Sequence, residues 1–154
     1  MADGALDGMI VSLHCKTAAD LVLDVGENKV LGQQRLNAEK SLQRFKLVMV
    51  YKTNYTDKNG HLYHIISEKD ENEALDLASG SREAGTEIVM STFQGGPTQQ
   101  WFLEESFDGG WMIRSKGKGN LVITAPEEEG RNMIISKKQH TENQQFYIQL
   151  VGHV

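Results

Sequence analysis

Several groups of residues in this 154-residue chain have types and spacings that could do chemistry. His61 and His64 lie three apart, a spacing that lets two imidazoles share a metal on a helix. Here they open an alternating apolar run, Leu62 to Ser67, so on a strand they point to opposite faces. No carboxylate or cysteine spacing completes a zinc set, and both read as surface or interface histidines. Cys15 is the one cysteine, so no internal disulfide forms. A nucleophilic thiol needs a nearby base and a lowered pKa. Cys15 instead stands where two later segments carry Ser67 and Ser115, which marks a small structural residue. Gly117-Lys118-Gly119-Asn120 lacks the order of a phosphate loop and reads as a hairpin turn. Glu127-Glu128-Glu129 follows Pro126 as a solvated acidic loop, close enough in sequence to Thr124 to supply a carboxylate there. Asp24 and Asp76 remain, each closing an apolar run. Such carboxylates accept hydrogen bonds from a ligand's hydroxyls or cap a turn through neighbouring backbone N–H groups. With no nucleophile–base pair, no metal set and no cofactor loop, the expectation is a binding protein that is not an enzyme and carries no cofactor.

The elements that position these residues are short and numerous. Alternation runs through Met9 to His14, Phe45 to Tyr51, Leu62 to Ser67 and Gly110 to Ser115, the pattern of half-buried strands. Turn residues separate them, as in Asp57-Lys58-Asn59-Gly60, Gln94-Gly95-Gly96-Pro97 and Asp108-Gly109-Gly110. Helical periodicity is scarce; Asn37 to Arg44 offers one helical turn. The composition, 39% hydrophobic and 24% charged, suits one packed domain. A net charge of -5 with no cluster of Lys and Arg argues against nucleic acid as a partner. No run is long and apolar enough to span a bilayer as a helix. The first residues lack the basic and apolar regions of a signal peptide, which leads to the expectation of a cytoplasmic protein or one secreted without a signal peptide.

One pattern occurs three times. A small residue precedes an Asp or Thr by nine positions in each copy: Cys15 and Asp24, Ser67 and Asp76, Ser115 and Thr124. The copies are offset by 52 and 48 residues. Each closes on the same short motif, Gln43-Arg44-Phe45, Gln99-Gln100-Trp101 and Gln144-Gln145-Phe146, followed by a further apolar run. The repeats span approximately 9–56, 57–107 and 108–154, after a flexible N-terminus over 1–8. With about four strands per repeat, no repeat buries its apolar face alone. Three together can close a barrel and remove exposed edges, giving a single domain over 9–154.

Repeats of about 50 residues, each with a Leu-Asp-Val-like strand and a closing Gln-x-Trp or Gln-x-Phe, resemble the ricin B-type lectins, and the resemblance covers about Met9 to Val151. It implies an all-β fold, a β-trefoil of three four-stranded repeats with pseudo-threefold symmetry. It also implies that Phe45, Trp101 and Phe146 pack in the core and that Gln43, Gln99 and Gln144 brace the backbone. In that family the Asp ending the second strand accepts two sugar hydroxyls, an aromatic on the next strand stacks on the sugar, and an Asn before the closing Gln adds a bond. A pyranose has both a polar rim and a C–H face, so it needs this combination.

Asp24 and Asp76 hold the Asp position in repeats one and two, and Thr124 holds it in repeat three. Asn143 precedes Gln144, where the other repeats have Leu42 and Thr98. No repeat has both the Asp and the Asn, and Phe93 is the one aromatic on the strands that would carry the stacking residue. The resemblance implies a non-catalytic lectin for galactose- or N-acetylgalactosamine-type glycans, with Asp24, Asp76, Asn143 and Thr124 as carbohydrate-binding candidates. Its partners would be glycans or glycoconjugates, with several sites or a homodimer raising avidity. The alternative is a trefoil that binds protein, such as a protease inhibitor, through Tyr51 to His61 and Gln94 to Thr98.

Overall fold

Strand formation follows the alternation. Val11, Leu13 and Cys15 of β1 (Met9–Cys15) enter the core from one face of the strand. Phe45 and Leu47 of β4 (Phe45–Met49) and Tyr63 and Ile65 of β6 (Gly60–Ser67) do the same. So do Trp101 and Leu103 of β9 (Trp101–Glu105), Trp111 and Ile113 of β10 (Trp111–Ser115) and Phe146 of β13 (Phe146–His153). The computed structural model describes residues 6–37, 39–50, 56–57, 60–106, 109–117, 120–126 and 132–153.

These six strands close a ring. Going round it, β1 pairs with β4, β4 with β6, β6 with β9, β9 with β10, β10 with β13, and β13 with β1, all antiparallel. A closed ring leaves no free edge where its ladders meet. Three hairpins complete the fold: β2 (Ala18–Val25) with β3 (Leu31–Arg35), β7 (Glu73–Leu77) with β8 (Ile88–Thr92), and β11 (Leu121–Thr124) with β12 (Ile134–Lys137). Single bridges join the hairpins to one another, Val30 to Val89, Gly32 to Asn132 and Glu87 to Ile134. Each repeat therefore gives two strands to the barrel and two to a three-hairpin cap, the all-β trefoil expected from the repeats. β5 (Thr56–Asp57) adds a two-residue ladder to β6.

The threefold pattern has a packing reason. Phe45 pairs with Ser67, Trp101 with Ser115, and Phe146 with Cys15. Each large ring thus faces a small residue on the neighbouring barrel strand, and all three rings are fully buried. Large opposite small fills a barrel layer without overpacking. Trp101 also donates its indole N–H to the Leu75 carbonyl at 3.1 Å, so its polar atom is satisfied inside the core.

The helical turn expected over Asn37 to Arg44 is a single 3-10 turn, Ser41–Gln43. Matching turns stand at Pro97–Gln99 and Glu142–Gln144. At the N-terminal end, Gly8 donates to the Leu47 carbonyl at 2.7 Å, and Met49 donates its N–H to the Asp7 carboxylate at 2.9 Å. Residues 6–8 are thereby tied to β4, while 1–5 lie outside the described residues. Among the described residues no helix is long and apolar enough to cross a membrane.

Candidate functional site

Each 3-10 turn ends on a glutamine whose side chain is buried and used at both ends. Gln43 accepts the Asn37 N–H at 2.7 Å and donates to the Arg35 carbonyl at 2.9 Å. Gln99 accepts the N–H groups of Gln94 and Gly95 at 2.7 and 2.9 Å and donates to the Thr92 carbonyl at 2.8 Å. Gln144 accepts from Gln139 and donates to the Lys137 carbonyl, both at 2.8 Å. The three amides clamp the exit of the third strand in every repeat. An unpaired buried amide would cost about 1–3 kcal/mol, which explains why glutamine is needed there.

The same amides reach the candidate ligand residues. Gln43 donates to Asp24 at 2.8 Å, Gln99 to Asp76 at 3.2 Å and Gln144 to Thr124 Oγ1 at 3.4 Å. Beyond this shared bond the repeats diverge. Asp24 is 1% exposed, and Lys40 places its ammonium 2.6 Å from Oδ2. Its Oδ1 is buried with no hydrogen-bond partner among the described residues. Asp76 is half-buried. Its Oδ2 accepts Ser91 Oγ at 2.6 Å, and its Oδ1 accepts the Leu77 N–H at 2.7 Å. Oδ2 also takes the Gln99 amide, so Oδ1 is the oxygen whose second lone pair keeps acceptor capacity. Thr124 shares a 2.5 Å hydrogen bond with Ser136. Asn143 accepts from Thr141 Oγ1 at 2.5 Å and donates to the Ala125 carbonyl at 3.5 Å, which occupies both ends of its amide.

Sheet register fixes the stacking position. Val22 pairs with Gln34, Ala74 with Ser91 and Val122 with Ser136. Two residues further on, Leu36, Phe93 and Lys138 are therefore equivalent. Phe93 lies just beyond β8 and is 40% exposed. His64 meets it edge to face, with ring centroids 4.8 Å apart and planes at 80°. His64 is half-buried, which lowers its pKa, and its Nδ1–H donates to the Gln99 carbonyl at 3.2 Å. In repeat three, Lys138 turns its ammonium to the buried carboxylate of Glu104 at 2.7 Å, with Arg114 on the other oxygen. Repeat two thus combines an oriented carboxylate and an exposed aromatic ring.

Sequence reasoning missed Lys40, Ser91 and the His64–Phe93 contact, because each is made between strands or from a turn. It also missed a serine–histidine pair. Ser12 Oγ lies 2.9 Å from His14 Nε2, and His14 Nδ1 lies 2.8 Å from the Ala19 carbonyl. The Nδ1–H donates to the carbonyl, so Nε2 accepts from the hydroxyl. Both residues are buried, so the pair acts as an internal polar brace. Cys15 is likewise inert: burial pushes its pKa up to about 12, and its thiol donates to Gln33 at 3.2 Å. Glu127–Glu129 and most of 51–59 lie outside the described residues.

A cavity of about 350 Å³ lies between repeats one and two. Val25, Leu42 and Met90 give it an aliphatic lining, and Lys29 and Glu73 pair at its side. Among the described residues no aromatic side chain lines it.

Residues 41–136 match a family model described as ricin-type beta-trefoil lectin domain-like. No curated protein matches the sequence. Among solved structures the chain is similar to the designed threefold-symmetric protein ThreeFoil, with a TM-score of 0.76 and 21% identity over 93% of this chain and 99% of that one. A mosquitocidal holotoxin matches with a TM-score of 0.81 and 16% identity, over 97% of this chain and 17% of its own. A Polyporus squamosus lectin, solved with the epitope Neu5Aca2-6Galb1-4GlcNAc, matches with a TM-score of 0.76 and 19% identity, over 94% and 50%. The chain therefore spans the designed trefoil completely but half or less of the lectin and toxin chains. At such identities these likenesses establish the fold. The family match covers more than half of the sequence, and the chain belongs to the ricin-type β-trefoil lectin domain-like family.

Proposed function

We propose that this chain binds carbohydrate without catalysis and that its working site is in repeat two. The observation that carries this reading is the pairing of the half-buried, oriented carboxylate of Asp76 with the exposed ring of Phe93. A pyranose fits such a pair: a hydroxyl donates to Oδ1 of the carboxylate while a C–H face lies on the ring. Galactose-type sugars present an axial hydroxyl beside a continuous apolar face. We therefore take galactose and N-acetylgalactosamine termini as the preferred ligands. Membership of a lectin-like family supports the carbohydrate class, and the preference for galactose rests on the resemblance.

The test is a glycan array with the purified chain, Asp76→Ala, Phe93→Ala and Asp24→Ala. The reading predicts binding to a defined terminal sugar that is lost in the Asp76 and Phe93 variants and kept in the Asp24 variant. Undiminished binding in an Asp76→Ala/Phe93→Ala double variant would remove the site from repeat two. A second reading, a protein-binding trefoil, is favoured by one observation: Phe93 leads directly into the loop Gln94 to Thr98, so its exposed ring could equally seat a protein side chain. Absence of any glycan signal, with a captured protein whose binding depends on Phe93, would select it.

A further inference from the structure

We infer that His64 is the positioning residue of the repeat-two site: its ring holds Phe93 in the orientation that a sugar stacks upon. The inference rests on the repeat-two reading above and adds a residue outside the carbohydrate-contact pattern considered there.

The geometry that carries it is local and double. On one side the imidazole stands edge to face with Phe93 at 4.8 Å and 80°. On the other its Nδ1–H donates to the backbone carbonyl of Gln99 at 3.2 Å. Gln99 is the residue whose side chain holds Asp76, the Thr92 carbonyl and the N–H groups of Gln94 and Gly95. One ring therefore touches the aromatic wall of the site and is anchored to the brace of its carboxylate wall. Phe93 needs such a partner. It lies past the end of β8 and is 40% exposed, and Gly95 stands where a Cβ would reach its Cζ at 3.7 Å, so no side chain supports the ring from that position. An exposed ring without a neighbour samples several rotamers, and a ligand that stacks on it must freeze one of them.

The other repeats make the contrast internally. His64 stands three residues before Ser67, and the matching positions before Cys15 and Ser115 are Ser12 and Met112. Ser12 is turned to His14, and the residues matching Phe93 are Leu36 and Lys138. The paired rings are confined to the repeat that has an oriented, half-buried carboxylate.

The role predicts a specific pattern among variants of the full chain. His64→Ala should weaken binding of methyl β-galactoside about three- to tenfold, the value of an aromatic pair expressed in affinity. His64→Phe restores a ring that can meet Phe93 while removing the hydrogen bond to Gln99, and it should recover most of that loss. The independent readout is aromatic ¹³C relaxation of Phe93 in the sugar-free protein. Ring order should fall in His64→Ala and return in His64→Phe. If Phe93→Ala abolishes sugar binding while His64→Ala leaves both affinity and ring order unchanged, the positioning role is overturned and the site stands. If affinity falls in both His64 variants alike with ring order unchanged, His64 acts through Gln99 and the role is equally overturned. If the unmodified chain binds no methyl β-galactoside, or binds it equally well without Phe93, the repeat-two reading itself fails.

Discussion

Repeats one and two carry the same aspartate at the same place, with the same glutamine bonded to it, and yet the two carboxylates differ. Asp24 is sealed: it is 1% exposed, it faces the Lys40 ammonium, and one oxygen is closed off without a partner among the described residues. Asp76 is half-buried, with both oxygens held by neutral donors, Ser91, Gln99 and the Leu77 N–H. A cation built into the chain makes Asp24 part of an internal ion pair. Neutral donors orient Asp76 without neutralising it, which leaves its charge for a ligand. The hairpins repeat the contrast. The repeat-two hairpin runs out into the exposed ring of Phe93, and the repeat-one hairpin into the aliphatic Leu36. A conserved-looking motif position is thus not a site by itself; what faces it decides.

The largest expected effect lies on the sealed side. Lys40→Met leaves the Asp24 charge buried and uncompensated. Because the ammonium is 38% exposed, the loss should fall below the full cost of breaking a buried pair, at about 2–3 kcal/mol in urea denaturation. The same variant should bind glycan as the unmodified chain does. A second glycan site appearing in it would break the comparison, because Asp24 would then differ from Asp76 only by its plug.

Next in size is the open side. Asp76→Ala removes the hydrogen bond between a charged acceptor and a sugar hydroxyl, worth about 1.5–3 kcal/mol, so affinity should fall roughly 10- to 100-fold by calorimetry. Its folding stability should change less than that of Lys40→Met. The reverse order of stabilities would mean that Asp76 is the structural carboxylate.

The smallest effect concerns His64. Burial lowers its pKa from 6.5 in the folded chain, so the unfolded chain takes up this proton first as pH falls. The stability present above the unfolded value is lost as pH falls from there through the folded pKa. The difference in unfolding free energy between the unmodified chain and His64→Phe should therefore shift against the former as pH falls through and below about 6.5. A difference that is flat across that range would show that His64 titrates as it does in the unfolded chain.

Much of the fold was legible because it rests on spacing. A barrel layer that sets a large ring beside a small partner places Cys15, Ser67 and Ser115 nine residues before the Asp or Thr and Phe45, Trp101 and Phe146 at the close of each repeat, and that order survives in the sequence. The glutamine braces were legible for the same reason. The site was less so. Asp24 pairs with Gly32, Asp76 with Val89 and Thr124 with Ile134, so the three hairpins differ in length and counting onward from the aspartate does not locate Phe93. Lys40 reaches Asp24 from the residue preceding a 3-10 turn, and His64 reaches Phe93 across two strands. Contacts of that kind depend on packing and leave no local pattern to read.

The most direct test of the central claim is an amide-correlation NMR titration of the full chain with methyl β-galactoside. The account predicts that the shifted resonances gather around repeat two, on Asp76, Ser91, Phe93, Gln94 and Gly95, while those of Asp24, Lys40, Thr124 and Ser136 stay in place. Shifts gathered around Asp24 and Lys40, or around Thr124 and Ser136, with repeat two silent, would contradict it.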